Sequence, residues 1–464
     1  MPDKSSIFQQ ECNQKAFDKA HRKKINFNIS RYDAAVTKGK QRFSQLELAK
    51  QKAANIKYKA IDQIDKLLVE FETNFIRNGG RIIWARNAED AARDIAALLA
   101  ENNIKKVVKS KSMTTEEINL NELLEKKKVA VFETDLGEYI VQLLGEKPYH
   151  IVTPAMHKSK EDVAALFHHK FDTPADSSPE EITRFVRTKL REDFREAGAG
   201  ITGANFLIAD IGAIALTENE GNGIMSMAFP SLHIAVAGIE KIIPSIDDLD
   251  LFWPLLATHG TGQAMTVYNS IVSGPARDYE DDGPSEMVLV LIDNGRTNLL
   301  AKKRQRIALS CIRCGACLNT CPVYKNIGGH TYNTTYSGPI GAVITPHMKE
   351  MGEWKHLSFA SSLCGSCTTV CPVKIPLHEL LLVNRNEAVT EGYTTSSERF
   401  MMKWANKVLG SRKMLDFGSG STKNFVLRNT VSKQWGDRRI MPLMAPKSFS
   451  QLWKEQQEQK KAGE

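Results

Sequence analysis

A chain of 464 residues, 42% hydrophobic and 25% charged, has the profile of a globular protein of two or three domains, which excludes fibrous and low-complexity classes. Its net charge of +8 is uneven: residues 1–60 hold 14 Lys or Arg against 5 Asp or Glu, and the rest is close to neutral. No apolar run is long enough to cross a bilayer (the best, around Phe206 to Leu216, falls far short) and MPDKSSIFQQECNQKAF lacks the apolar centre of a signal peptide, so a cytoplasmic location is expected.

Residues 1–60 form a polar, helical pattern with few Gly or Pro, a basic N-terminal arm. Such an arm suits nucleic acid, an anionic membrane surface or an acidic partner. No aromatic ladder or nucleic-acid motif accompanies it, so it is read as a solvated helical arm and no nucleic acid is expected. From Ile61, IDQIDKLLVEFETNFIRNGG has helical spacing and stops at Gly79-Gly80. RIIWAR reads as a buried strand, and NAEDAARDIAALLAENN as an amphipathic helix capped by Asn87. KKVVKSKS and KKKVAVFETDL supply further strands beside helices such as TTEEINLNELLE. PEEITRFVRTKLREDFREAGAG is a helix, TGANFLIADIGAIALTENEGNG two strands around Gly212, and LHIAVAGIEKIIP and MVLVLIDNG buried strands. This alternation predicts an α/β domain over 61–297 with a mostly parallel sheet. Residues 298–389 turn to short helices and cysteines, and 390–464 read as an irregular basic C-terminal region.

Seven of the eight cysteines lie between Cys311 and Cys371. CIRCGACLNTCPVY places Cys311, Cys314, Cys317 and Cys321 before Pro322, the spacing of bacterial two-cluster ferredoxins. Three thiolates at tight, even spacing wrap one face of a cubane, and Gly315 lets the backbone turn its N–H groups to the sulfides. The fourth cysteine is directed to the other cluster. SSLCGSCTTVCPVKIP supplies Cys364, Cys367 and Cys371 before Pro372, with Ser361 where a first cysteine would fall. The crossing rule assigns Cys311, Cys314, Cys317 and Cys371 to cluster I, and Cys321, Cys364 and Cys367 to cluster II. Three readings stay open for cluster II. It is a 4Fe-4S centre with a non-cysteine ligand such as Ser361, water, a substrate or a partner residue; a 3Fe-4S centre; or a degenerate site. Zinc, the competing metal, takes four ligands and accounts poorly for seven cysteines with two Cys-Pro endings. Cys12, alone in the polar arm, reads as an inert thiol.

CIRCGACLNTCPVYKNIGGHTY, YSGPIGAVITP and SSLCGSCTTVCPVKIPLHELL resemble lactate utilization protein B. KSKSMTTEEINLNELLE, FETDLGEYIVQLLGEKPYHIVTPAMHK, ANFLIADIGAIALTENEGNG and DNGRTNLL are similar to that family's LUD domain. The resemblance runs from about Ile61 to Leu381, with a further similarity around PLMAPKSFSQLWK. It implies a LUD α/β domain, like sugar-phosphate isomerase and CoA-transferase folds, followed by a mainly α-helical ferredoxin-type domain. It also implies an iron–sulfur subunit of a complex oxidising L-lactate to pyruvate. Partner subunits, electron donor or acceptor proteins, the quinone pool and peripheral contact with the inner face of the membrane would follow. The family also carries three cysteines in its second motif, so Ser361 does not count against membership.

Candidate ligand residues of the LUD domain fall in loops beyond strand ends, where open α/β sheets bind ligands. They are Thr134, Asp135 and Glu138; Asp210 and Gly212; Glu218, Gly221, Asn222 and Gly223; and His259, Gly260 and Gly262. Arg296 or Lys111 would hold a carboxylate, and His157, His233 and His259 are candidate bases or metal ligands. Each has a structural reading beside the functional one, Asp135 as a helix cap for example. No G-x-G-x-x-G follows a strand, so hydride chemistry is expected in a partner or at an interface. Two other functions compete: an iron–sulfur subunit for another 2-hydroxy acid such as glycolate, and a regulatory module binding a carboxylate or acyl-CoA with structural clusters.

Overall fold

The computed structural model describes residues 3–430, 435 and 440–462. One compact unit ends at Ala388 and a second begins at Val389.

Three helices, Lys4–Ala16, Lys19–Lys40 and Leu46–Asp62, open the first unit. Asp18 starts the second of these by accepting the His21 N–H at 2.9 Å. These helices are not a solvated arm. Ile25, Ile29, Ala53 and Ala60 are buried, and Gly39 comes so near Gly262 that a Cβ would lie 2.5 Å from its carbonyl oxygen. Their cations pair with the rest of the unit: Lys4 with Glu353 and Lys24 with Asp162. The sequence hides this because the buried stripe of Lys19–Lys40 is only Ile25, Ile29 and Gly39 in a lysine-rich helix.

The strands are β1 (Arg81–Ala85), β2 (Lys106–Lys109), β3 (Ala130–Glu133), β4 (Ala199–Gly203), β5 (Phe206–Ile208), β6 (Ala213–Glu218), β7 (Leu232–Gly238), β8 (Ile242–Ile243), β9 (Tyr268–Val272) and β10 (Glu286–Ile292). Six of them form a parallel sheet in the order β1-β10-β7-β4-β2-β3. EMVLVLI is buried from Met287 to Ile292, the continuous apolar run of a strand covered on both faces. Covering helices carry the expected signals: Asn87 accepts the Asp90 N–H at 2.8 Å, and Ser178 and Glu181 close a capping box before Pro179–Glu196. From β2 the chain steps outward to β3, then returns to β4 and continues the opposite way through β7 and β10. Strand order therefore reverses between β2 and β4, and a crevice opens at their C-terminal ends.

A second sheet, β8-β5-β6-β9, was not expected from sequence. Its β5–β6 and β6–β9 pairs are antiparallel and β5–β8 is parallel. Beyond Arg296 the first unit becomes short helices. Their apolar residues, including Leu318, Tyr324, Val343 and Leu357, share one core with Phe71, Phe206 and Leu289 of the α/β part.

The second unit is helical where an irregular region was expected: Ser396–Leu409, Arg412–Asp416, Gly420–Thr430 and Phe449–Ala462. Thr395 caps the first of these by accepting the Glu398 N–H at 3.3 Å. Between the glycine-rich joints no helix breaker interrupts these segments. Trp404 and Trp453 are exposed on them.

Candidate functional site

The two cysteine motifs fold alike. In each, a residue in the left-handed region precedes a cysteine and a left-handed glycine follows it: Arg313 (φ 60°) and Gly315 (φ 78°) around Cys314, Leu363 (φ 54°) and Gly365 (φ 80°) around Cys364. A non-glycine residue held there costs about 1–3 kcal/mol, so the surroundings must enforce the turn. Gly315 is also pinned from outside, since a Cβ there would lie 3.0 Å from Val152. Short helices, Ala316–Thr320 and Ser366–Val370, then bring up the next cysteine and pack on each other. The repeat matches Cys314 to Cys364, Cys317 to Cys367, Cys321 to Cys371, and Cys311 to Ser361.

Packing the two helices together exchanges the last cysteine of each motif. Cys317 lies among Cys311, Cys314 and Cys371, whereas Cys367 lies among Cys321 and Cys364. Burial foremost, then neighbouring sulfurs, pushes Cys371 up to about 12 and Cys367 up to about 11. Cys311, Cys314, Cys317 and Cys371 line one small cavity whose other walls include Ile340, Val373 and Leu377. Backbone N–H groups of Arg313 and Ile375 donate to Cys311 Sγ and Cys371 Sγ, each at 3.4 Å. Four sulfurs around an apolar-walled cavity, with amides directed at them, fit a tetrathiolate iron–sulfur cluster.

The second set differs. Cys321 and Cys367 are buried, but Cys364 is exposed. The Ser361 hydroxyl accepts the Leu363 N–H at 3.1 Å, and the hydroxyls nearest Cys364 belong to Ser366, at 3.4 Å, and Ser362. Cys12 lies apart from both sets, and burial pushes its thiol up to about 12.

Beside the first set lies a pocket of about 410 Å³. Ser110, Lys111 and Ser112 from the loop after β2 line it, as do Gly203, Ala204 and Asn205 from the loop after β4, so it occupies the strand-order reversal. Of the sequence candidates, Lys111, Asp135, Glu218, Asn222, Gly223 and Gly260 line it. Lys111 Nζ donates to the Val152 carbonyl at 2.5 Å. Glu218 accepts the N–H groups of Gly223 and Ile224 at 2.6 and 2.9 Å. Asp135 caps Leu136–Leu144 through the Glu138 N–H at 3.0 Å. The Asn222 amide is best oriented with its nitrogen 2.6 Å from Glu218 Oε2 and its oxygen 3.2 Å from the Asp135 N–H.

Other candidates have structural partners away from the pocket. Thr134 donates to the Lys109 carbonyl at 3.0 Å. Asp210 accepts the Ile246 N–H at 3.2 Å. Left-handed Gly212 lies against the Asn74–Phe75 backbone, Gly221 and Gly262 are left-handed helix-end residues, and Glu138 sits in a buried group with Lys109, Glu116 and Glu133. His233 is bonded to Thr202 Oγ1 at 2.8 Å and His259 to the Leu255 carbonyl at 2.9 Å, both in the core, where burial lowers them to about 3 and about 4. His157 pairs with Glu146 and stacks on Tyr149. Arg296 does hold carboxylates, but the chain's own: Glu117 through two bonds of 2.8 Å, and Glu240.

The family model of the LUD domain matches residues 68–292, and that of the 4Fe-4S dicluster domain matches residues 307–375. Lactate utilization protein B of Bacillus velezensis is 41% identical over 88% of this chain and 88% of its own length. The chain belongs to the lactate utilization protein B family. Lactate utilization protein B 2 of Bacillus mycoides is 41% identical over 86% of both chains. A solved DUF162-family protein from Deinococcus radiodurans, covering 49% of this chain and 98% of its own at 14% identity, has a TM-score of 0.28, too low to carry argument. Membership accounts for the parallel α/β sheet, the helical cysteine domain and its iron–sulfur character.

In this family member, the pocket residues that sequence reading missed include Lys241, Arg313 and Glu220. Lys241 follows an apolar strand and looks like its polar end. Arg313 was in view as the third residue of CIRC, but only its place between two cysteines marked it.

Proposed function

We propose that this chain is the iron–sulfur electron-transfer subunit of a complex that oxidises L-lactate to pyruvate. Cys311, Cys314, Cys317 and Cys371 hold one 4Fe-4S cluster. Cys321, Cys364 and Cys367 hold a second, completed by a non-cysteine ligand at or near Ser361. The observation that carries this reading is the sorting of seven cysteines into a set of four and a set of three, in a chain of the lactate utilization protein B family. Such clusters, when bound, take up and release single electrons.

What the chain's residues do follows from their placement. The set of four adjoins the pocket, with Cys314 and Cys371 buried and Cys311 and Cys317 half-buried, and the set of three reaches the surface at Cys364, which supports passage between an inner and an outer site. Amides directed at the sulfurs stabilise their negative charge and so tune the potential. Lactate oxidation releases two electrons and two protons, and the pair-wise step belongs to a partner subunit, because no dinucleotide-binding motif is present. Electrons then continue toward a quinone, with the chain on the cytoplasmic side; no helix among the described residues is long and apolar enough to cross a membrane.

The test is anaerobic co-purification with partner subunits, followed by addition of single 2-hydroxy acids. L-lactate should bleach the visible absorbance of the clusters. Bleaching by glycolate alone would move the reading to another acid. No bleaching by any 2-hydroxy acid, with iron present, would contradict it.

A further inference from the structure

The pocket at the strand-order reversal and the cavity of the four cysteines share a wall. Ile151, Arg313 and Cys314 line both. Arg313 is nearly buried, its side chain 8% exposed. Its Nη2 reaches Glu240 Oε1 at 3.4 Å and its guanidinium lies 4.1 Å above the Tyr336 ring, yet Nε and Nη1 have no partner. Lys241 lines the same pocket and has no hydrogen bond or ion pair to any described residue. Burial first, and then neighbouring Arg313 among other groups, lowers its ammonium to about 8. Two nitrogens of Arg313 and the Lys241 ammonium are left without hydrogen-bond partners beside one pocket, with Glu240 the carboxylate near both, and an anion in the pocket would satisfy them. Nearby Arg296 is fully engaged by Glu117 and Glu240, so it cannot serve.

Asp135, Glu218 and Glu220 line the same pocket, as does a third cation, Lys111. These carboxylates disfavour a dianion such as phosphate but accept hydrogen bonds from a hydroxyl. A pocket of about 410 Å³ lined by both cations and carboxylates matches a small, singly charged acid bearing a hydroxyl or carbonyl.

We propose that this pocket binds a small 2-hydroxy or 2-oxo carboxylate through Arg313 and Lys241, and that binding is coupled to the charge of the cluster held at Cys314. The second clause rests on the cluster reading above; the first does not. An anion placed across one residue wall from a cluster makes adding an electron harder, so the bound acid lowers the potential. By reciprocity, the reduced protein binds the acid more weakly, by the factor that the acid shifts the reduction equilibrium.

The experiment is calorimetric titration of anaerobically prepared full-length protein with L-lactate, pyruvate and inorganic phosphate, in oxidised and dithionite-reduced states. Iron and sulfide are counted on the same sample. One carboxylate should bind per chain, phosphate at least about tenfold more weakly, and reduction should weaken the carboxylate several-fold. Lys241→Gln should raise the carboxylate Kd at least about tenfold with iron content unchanged. If that variant loses iron, Lys111→Gln, at the third cation lining the pocket, should raise the Kd while keeping iron. Absence of carboxylate binding, tighter binding of phosphate, or an unchanged Kd in a variant that keeps its iron would overturn the pocket assignment. Binding with equal affinity in both redox states would overturn the coupling. An iron-free sample that still binds pyruvate would sink the cluster reading and leave the pocket standing.

Discussion

The two cysteine sets come from one repeated loop but sit in different surroundings. Around Cys314 and Cys364 the backbone takes the same left-handed turns. Cys314 and Cys371 of the set of four lie in the shared core, as do Cys321 and Cys367 of the set of three; the set of four is walled by Ile340 and Val373 and pressed against the α/β part through Gly315. The set of three ends at exposed Cys364, and its missing position is Ser361. Local backbone geometry therefore sets how a cluster is gripped, while burial and neighbouring charge decide what it is used for. In the proposal above, the inner set answers to the pocket. The outer one is reachable by a partner and open to a foreign ligand.

The strongest way to break this comparison is to remove one cysteine from each set. Cys314→Ala should lose about half of the iron and unsettle the fold, because it opens the shared core. Cys364→Ala should lose only the outer cluster and leave thermal stability nearly unchanged. Equal loss from both sets in either variant, read by iron counting and electron paramagnetic resonance, would mean the pairing is wrong.

Next in size is Arg296→Met. Arg296 is 1% exposed and joins Glu117 and Glu240. Removing it leaves buried Glu117 without its cation and Glu240 with Arg313 alone, and chemical denaturation should report a loss of about 3–5 kcal/mol. The outer set, which does not touch this network, should keep its spectrum in the folded fraction.

A smaller effect marks the scale of changes outside both sets. Glu138 is buried beside Lys109, Glu116, Glu133 and Asp135; burial first and then Glu133 hold its carboxyl well above the usual range. A proton kept in the folded state but released when unfolded favours folding at low pH. That contribution is complete below the ordinary carboxylate value of 4.5 and is lost as pH rises through the higher folded value. Glu138→Gln should therefore be more stable than the parent at pH 8, on the order of 1 kcal/mol, with the gap closing toward pH 5. The smallest energetic change, and the one that sharpens the comparison most, is Ser361→Cys. Supplying the absent thiol should make the outer set spectroscopically resemble the inner one with stability unchanged.

Much of this was legible in sequence because the signals are local. Cysteine spacing, the Asn87 cap, the run MVLVLI and Gly315 each act within a few residues. The second sheet was not legible: β8 has two residues and β9 is half-exposed, so neither carries a strand pattern. The pocket was read in part. Lys111, Asp135, Glu218 and Asn222 announced themselves as polar residues in loops after strands. Asp210 and His259 carried the same appearance but serve as partners to backbone groups. Lys241 and Arg313 lie far apart in sequence, and only the packing of the cysteine domain against the strand ends brings them together.

Iron bound by two unequal thiolate sets is what gives this chain its proposed redox role. Mössbauer spectroscopy of anaerobically purified, iron-57-enriched full-length protein tests this most directly. Two cubane-type components should appear, one with four equivalent-type thiolate irons and one with a distinct or absent fourth iron. A single component, or iron-free protein with zinc at the cysteines, would contradict it.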